Sequence, residues 1–138
     1  MNLPASENAL LLRTDFTHPT AWQELLAAAR EPEEPFGFYL EVLDDPAHSG
    51  WTPEQVRAAL PEDYGHSFIV LADQMAMAAP GHPVLVVDLF DEPGRRFRAA
   101  ANQIAAIDSN LSIGNLSFEE FAEQVDESAV FRGFPSGD

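Results

Sequence analysis

The chain has 138 residues, 46% hydrophobic and 10% aromatic, enough for one domain with its own core, so global disorder does not fit. Cysteine is absent, which excludes disulfides, thiol nucleophiles and cysteine-ligated zinc and agrees with a reducing compartment. Seven arginines and no lysine stand against 23 acidic residues, and the resulting net charge of −16 repels nucleic acid and anionic membranes alike.

Residues 1–8 predict a short arm, and residues 9–138 a single domain. No basic residue precedes the Ala9–Leu12 run and nothing nears the roughly 18 apolar residues of a membrane span, so a soluble, cytoplasmic protein is expected. Ala9 to Phe16 reads as a strand. Pro19 suits a first helical turn, Thr20 and Gln23 have capping-box spacing, and Trp22, Leu25, Leu26 and Ala29 form one apolar stripe. Phe36 to Leu43 is aromatic and β-branched, a second strand closed by Asp44-Asp45-Pro46. Thr52-Pro53-Glu54-Gln55 opens a second helix, with Val56, Ala59 and Leu60 facing inward and Pro61 as its stop. Ser67 to Ala72 is a third strand, and Asp73 can cap a short helix over Gln74 to Ala79.

The stretch His82 to Arg98, HPVLVVDLFDEPGRRFR, organises the rest. Its apolar run predicts a strand over 83–90 buried on both faces, then a turn at Asp91 to Gly94 and an edge strand over Arg95 to Ala99. Ile104, Ile107 and Leu111 have helical spacing. Ser117 and Glu120 open a last helix, stapled by Leu116 and Phe121, with Phe118, Phe121, Ala122 and Val125 inward. Val130 to Phe134 is an apolar tail docked on the domain. Alternating elements predict an α/β fold: a mixed, mostly parallel sheet of four to five strands, flanking helices and one hairpin.

One pattern could carry chemistry. Four predicted strands end in aspartate: Asp15, Asp44 with Asp45, Asp73, and Asp88 with Asp91. The carboxyl ends of parallel strands line one rim, where α/β proteins bind ligands. Gathered carboxylates need a cation or an arginine; Asp15, Asp44 and Asp88 could hold Mg²⁺ or Ca²⁺. This resembles the acidic pocket of response-regulator receivers, but their lysine has no counterpart, so phosphoacceptor function is not expected. The plainer reading makes each aspartate a cap or turn former, with Arg13, Arg95 and Arg96 neutralising them as internal ion pairs. Arg95, Arg96 and Arg98 form the basic cluster, which balances local acid or holds an anion. His18, His48, His66 and His82 lack metal-ligand spacing, and no HExxH, nucleophile elbow or glycine-rich phosphate loop is present.

Leu60-Pro61-Glu62-Asp63-Tyr64 is similar to the LPxxY element of the SUKH superfamily, which includes toxin-immunity proteins; there a helix follows, whereas here SFIVLAD reads as a strand. Over residues 9 to 134, LLLRTDF, the DDP turn, TPEQ, LPEDY, FIVLAD, VVDLFDEPGRRFR, NLSIGNLSFEEFAE and VFRGF together resemble a family of small uncharacterised bacterial proteins, a domain of unknown function. That resemblance implies one domain and brings no activity. The candidate ligand-binding residues are Arg13, Asp15, Asp44, Asp45, Asp88, Asp91, Arg96 and Arg132. The leading expectation is a non-enzymatic module whose acidic surface meets a basic protein, as in an immunity or regulatory protein. The alternative is a divalent-metal or small-ligand site on the aspartate-lined rim, open to enzymatic use. A third is an accessory subunit making contact through Phe131 and Phe134.

Overall fold

Alternate side chains along the central strands point to opposite sides and sort the core into two halves. The computed structural model describes residues 9–29, 40–61, 64, 68–79, 81–89, 94–104, 107–108, 118–123 and 130–131. In chain order these form β1 (Ala9–Arg13), α1 (Pro19–Ala29), β2 (Leu40–Leu43), α2 (Pro53–Ala59), β3 (Phe68–Ala72), α3 (Gln74–Ala78), β4 (Pro83–Asp88), β5 (Arg96–Ala100), α4 (Phe118–Glu123) and β6 (Val130–Phe131). Leu11, Phe68, Val70, Val84, Val86, Phe97 and Ala99 face α1, α3 and α4. Leu10, Leu12, Ile69, Leu71 and Val87 face α2. The result is one α/β domain with helices on both faces of a sheet.

The described strands make one six-stranded sheet in the order β2-β1-β3-β4-β5-β6. β1 runs parallel to β2 and β3, β4 is antiparallel to both β3 and β5, and β6 is parallel to β5. The α/β class and the hairpin match expectation; the sheet is mixed rather than mostly parallel, and it has six strands rather than four or five. The change of direction comes between β3 and β4, where Asp73 through His82 is too short a connection for a parallel crossover of a dozen or more residues. β5 is also not the edge expected of it. Val130 and Phe131 lie along it, pairing with Arg98 and Ala99, so the apolar tail supplies the sixth strand.

Local signals explain most of the helices. α2 carries the full capping box: Thr52 Oγ1 accepts from the Gln55 N–H at 3.2 Å and Gln55 Oε1 accepts from the Thr52 N–H at 2.8 Å. Asp73 caps α3 by accepting from the Ala76 N–H. α1 starts at Pro19, so Thr20 lies inside its first turn rather than at the cap, and the Trp22 N–H donates to the His18 carbonyl. Trp22, Leu25 and Ala29 are its buried stripe. Ile104 and Ile107 are buried, and Phe97, Phe118, Phe121 and Phe131 stack edge to face or in parallel over β5. Leu111, Leu116, Ser117, Val125 and Phe134 lie outside the described residues.

Candidate functional site

The rim at the carboxyl ends of β1, β2 and β3 is the place where this topology would put a ligand. From β1 the chain crosses by α1 to β2 on one side, then by α2 to β3 on the other, so a topological switch point falls between β1 and β3. Arg13 ends β1, and Thr14, Asp15, Asp44, Asp45 and Asp73 follow these three strands directly.

The switch point is filled by the chain itself. The Thr14 N–H donates to the Ala72 carbonyl at 3.0 Å, and the Gly50 N–H donates to the Thr14 carbonyl at 2.8 Å. Thr14 Oγ1 donates to the same Ala72 carbonyl at 3.4 Å, and Thr14 is buried. Beside it, Arg13 is the centre of a second network. Its Nη1 donates to Asp44 Oδ1 at 3.1 Å and its Nε to the Asp15 carbonyl at 3.0 Å. Its guanidinium lies over the rings of Phe16 and Trp22, 4.4 and 5.0 Å from their centroids. Trp22 Nε1 donates to Asp44 Oδ2 at 3.1 Å, so both oxygens of Asp44 are engaged.

The other aspartates are engaged in the same way. Asp15 Oδ1 accepts from Thr17 Oγ1 at 2.7 Å and Asp15 Oδ2 pairs with His18 Nδ1 at 2.8 Å. Burial pushes the Asp15 carboxyl up, but the hydrogen bonds from His18 and Thr17 outweigh it and hold the group below its ordinary value. Asp45 caps the 3-10 turn Pro46–His48 by accepting from the Ala47 N–H. Asp73 takes two bonds from Arg98, at 3.0 and 2.7 Å, while it caps α3. His48 is buried against Trp51, and its Nδ1 has no hydrogen-bond partner among the described residues.

Asp88 does not join this rim. β4 runs the other way, and its register sets Asp88 opposite Phe68, at the start of β3, while Asp73 follows the end of that strand. The expected convergence of Asp15, Asp44 and Asp88 on one cation therefore fails in geometry. Among the described residues there is no cluster of three or more His, Asp or Glu side chains able to hold a metal ion. Arg96 is also away from the rim's aspartates and pairs with Glu54 of α2 at 2.8 Å, which holds Glu54 below its ordinary value. Asp91 and Arg132 lie outside the described residues.

The geometry adds residues that strand-end aspartates alone did not point to. The spacing of α1 marks Trp22 as core, and its indole N–H is also the second partner of Asp44. Arg98 reaches Asp73 from two strands away, because Leu71 pairs with Leu85 and Leu85 with Arg98. The apolar spacing of α1 gave no sign that one ring in its stripe would also be a donor. Alternation along β5 could have separated Arg96 and Arg98 from Phe97, and so shown which face the arginines take.

A family described as a domain of unknown function, DUF6924, matches residues 8–134. The chain belongs to this family. The match takes in every strand and helix described above rather than a motif within the domain. No curated protein matches the chain.

Proposed function

We propose that the protein is a non-enzymatic binding module that presents an acidic surface to a basic protein partner, in the manner of a bacterial immunity or regulatory protein acting in the cytoplasm. One observation carries this reading: Arg13, Arg96 and Arg98 are committed to Asp44, Glu54 and Asp73. Such pairs use cations internally and leave the net charge at −16, so the field outside the molecule is strongly negative. The rim supports it from another direction, since its carboxylates cap helices and hold arginines, and Thr14 fills the switch point. The metal-site alternative has less support with Asp88 at the far end of the sheet. The accessory-subunit reading loses Phe131, which is fully buried in β6.

The test is co-purification of the tagged protein from its own cells over a salt series. A stoichiometric basic protein, retained at low salt and released as ionic strength rises, is the expected result. A partner that is acidic, or whose retention ignores salt, would overturn the reading.

A further inference from the structure

Among the described residues, His82 is the non-glycine residue with a positive φ, +51°, a conformation that is costly for a side chain with a Cβ. It follows Gly81, at φ +79°, in the turn between α3 and β4. Backbone bonds fix this turn: the His82 N–H donates to the Ala79 carbonyl, and the Gly81 carbonyl accepts from the Ala101 N–H, each at 3.2 Å. Two helices set the ring. Its Nδ1 lies 3.1 Å from the Ala76 carbonyl of α3, and its Nε2 lies 3.7 Å from Glu24 Oε1 of α1. A carbonyl oxygen only accepts, so Nδ1 carries the proton of the neutral ring and Nε2 carries the lone pair. Histidines that ligate metals are held in this way, with the other ring nitrogen donating to a carbonyl or a carboxylate.

We propose that His82 Nε2 and Glu24 Oε1 are the two protein ligands of a site for a divalent transition ion of the Zn²⁺ class. The site stands apart from the aspartate rim and goes beyond the binding-module reading. With metal–nitrogen and metal–oxygen bonds of about 2.1 Å at a tetrahedral angle, two such ligands lie roughly 3.4 Å apart. The observed 3.7 Å is close to this, and the Glu24 side chain, 67% exposed, can close the difference. The same exposure lets water complete the coordination shell, so the ion is exchangeable rather than required for folding. Bound there, it ties α1 to the α3–β4 turn. Imidazole nitrogen selects Zn²⁺, Ni²⁺ or Cu²⁺ over Mg²⁺, Ca²⁺ and Mn²⁺, which prefer oxygen. Arg98 also reaches this turn, through the Pro83 carbonyl, but it gives two bonds to Asp73, which balances its charge. The two ligands are far apart in the chain, so no ligand spacing in the sequence marks them.

The experiment uses the full chain, stripped with a chelator, and Zn²⁺ as the probe, with Mg²⁺ at equal ionic strength as the reference. Calorimetry gives stoichiometry and affinity, and nitrogen NMR of the histidine rings identifies the coordinating atom. The expected result is one Zn²⁺ per chain, a shift of the His82 Nε2 signal with Nδ1 still protonated, and no binding of Mg²⁺. Glu24→Gln and His82→Asn should each weaken Zn²⁺ binding by at least the roughly tenfold that loss of an outer partner costs. Asn tolerates a positive φ, so His82→Asn keeps the turn, and Glu24→Gln changes only an exposed side chain. His18→Gln, which alters the pair with Asp15, should leave the affinity unchanged. Zn²⁺ binding that survives both variants, or that is lost in His18→Gln, overturns the site, as does failure to bind at millimolar Zn²⁺. Loss in His82→Asn alone overturns Glu24 as a ligand and with it the two-ligand site. None of these outcomes depends on a protein partner, so the binding-module reading stands or falls on its own test.

Discussion

Arg13 is held on several sides: Asp44 and the Asp15 carbonyl accept from it, and Phe16 and Trp22 lie against its guanidinium. Its side chain is 10% exposed and that of Asp44 is 44% exposed, so water screens part of the charge attraction. What Asp44→Ala removes is mainly the acceptor for a nearly buried guanidinium and for the Trp22 indole N–H. The expected loss is about 1–2 kcal/mol, read as a lower urea midpoint, with Asp44→Asn losing less because it can still accept from Trp22. Asp15 makes a separate prediction in pH. Its folded carboxyl lies below its ordinary value, so its contribution is present above the unfolded value and is lost as pH falls through the folded one. Asp15→Asn should therefore be less stable than the parent near neutrality, and the difference should shrink below about pH 4. A difference that stayed constant down to pH 3 would detach the effect from ionisation. The caps Thr52 and Asp73 were legible in the sequence, because Asp, Thr and Pro announce helix starts locally, although the same signal misplaced Thr20. The partnerships of Arg13 with Asp44 and of Arg98 with Asp73 were not, since each joins residues far apart in the chain and depends on strand order.

At the scale of elements, α2 and the β4–β5 turn are the two pieces whose local chemistry is most decisive. α2 is short and makes both halves of its capping box, so Thr52→Ala should lower stability by about 1 kcal/mol with no change in the sheet. The turn depends on Gly94, whose φ of +98° is a conformation that side chains with a Cβ rarely adopt. A Cβ there would also lie 2.8 Å from Arg57 Nη1, and the Gly94 N–H closes the turn on the Asp88 carbonyl at 2.9 Å. Gly94→Ala should cost about 1 kcal/mol or more in thermal or urea unfolding, and Arg57→Ala should recover only the steric part. The sequence showed this hairpin because a long apolar run, a Pro-Gly pair and a charged return are all local signals. It was less informative about what borders the hairpin. A two-residue strand such as β6 has no period to detect, and only its pairing with Arg98 and Ala99 makes it a strand. The direction of β4 was legible in principle, since the short Asp73–His82 connection argues against a parallel crossover.

For the whole molecule, the direction of β4 decides which end of the sheet Asp88 occupies. Had β4 run parallel to β3, Asp88 would stand beside Asp73 on the rim, and carboxylates from four neighbouring strands would share one edge without enough arginines to neutralise them. A divalent cation would then be the natural solution. Instead β4 takes Asp88 to the opposite end, while Arg13 and Arg98 neutralise the rim from within. The two arrangements differ in how stability answers to ions. A cation bound at a built site raises the unfolding midpoint by mass action, over and above any screening. Screening alone relieves the self-repulsion of a −16 chain and depends on ionic strength, whichever salt supplies it. Thermal unfolding in millimolar Mg²⁺, Ca²⁺ or Mn²⁺, with NaCl adjusted to equal ionic strength, separates them. The expected midpoints coincide with that of NaCl alone, and Asp15→Asn leaves their agreement unchanged. A rise specific to one divalent ion, abolished by Asp15→Asn or Asp44→Asn and retained in Asp88→Asn, would place a cation on the rim despite its internal pairing. The binding-module reading would then have to give way, because the carboxylates now assigned to arginines would have a second partner.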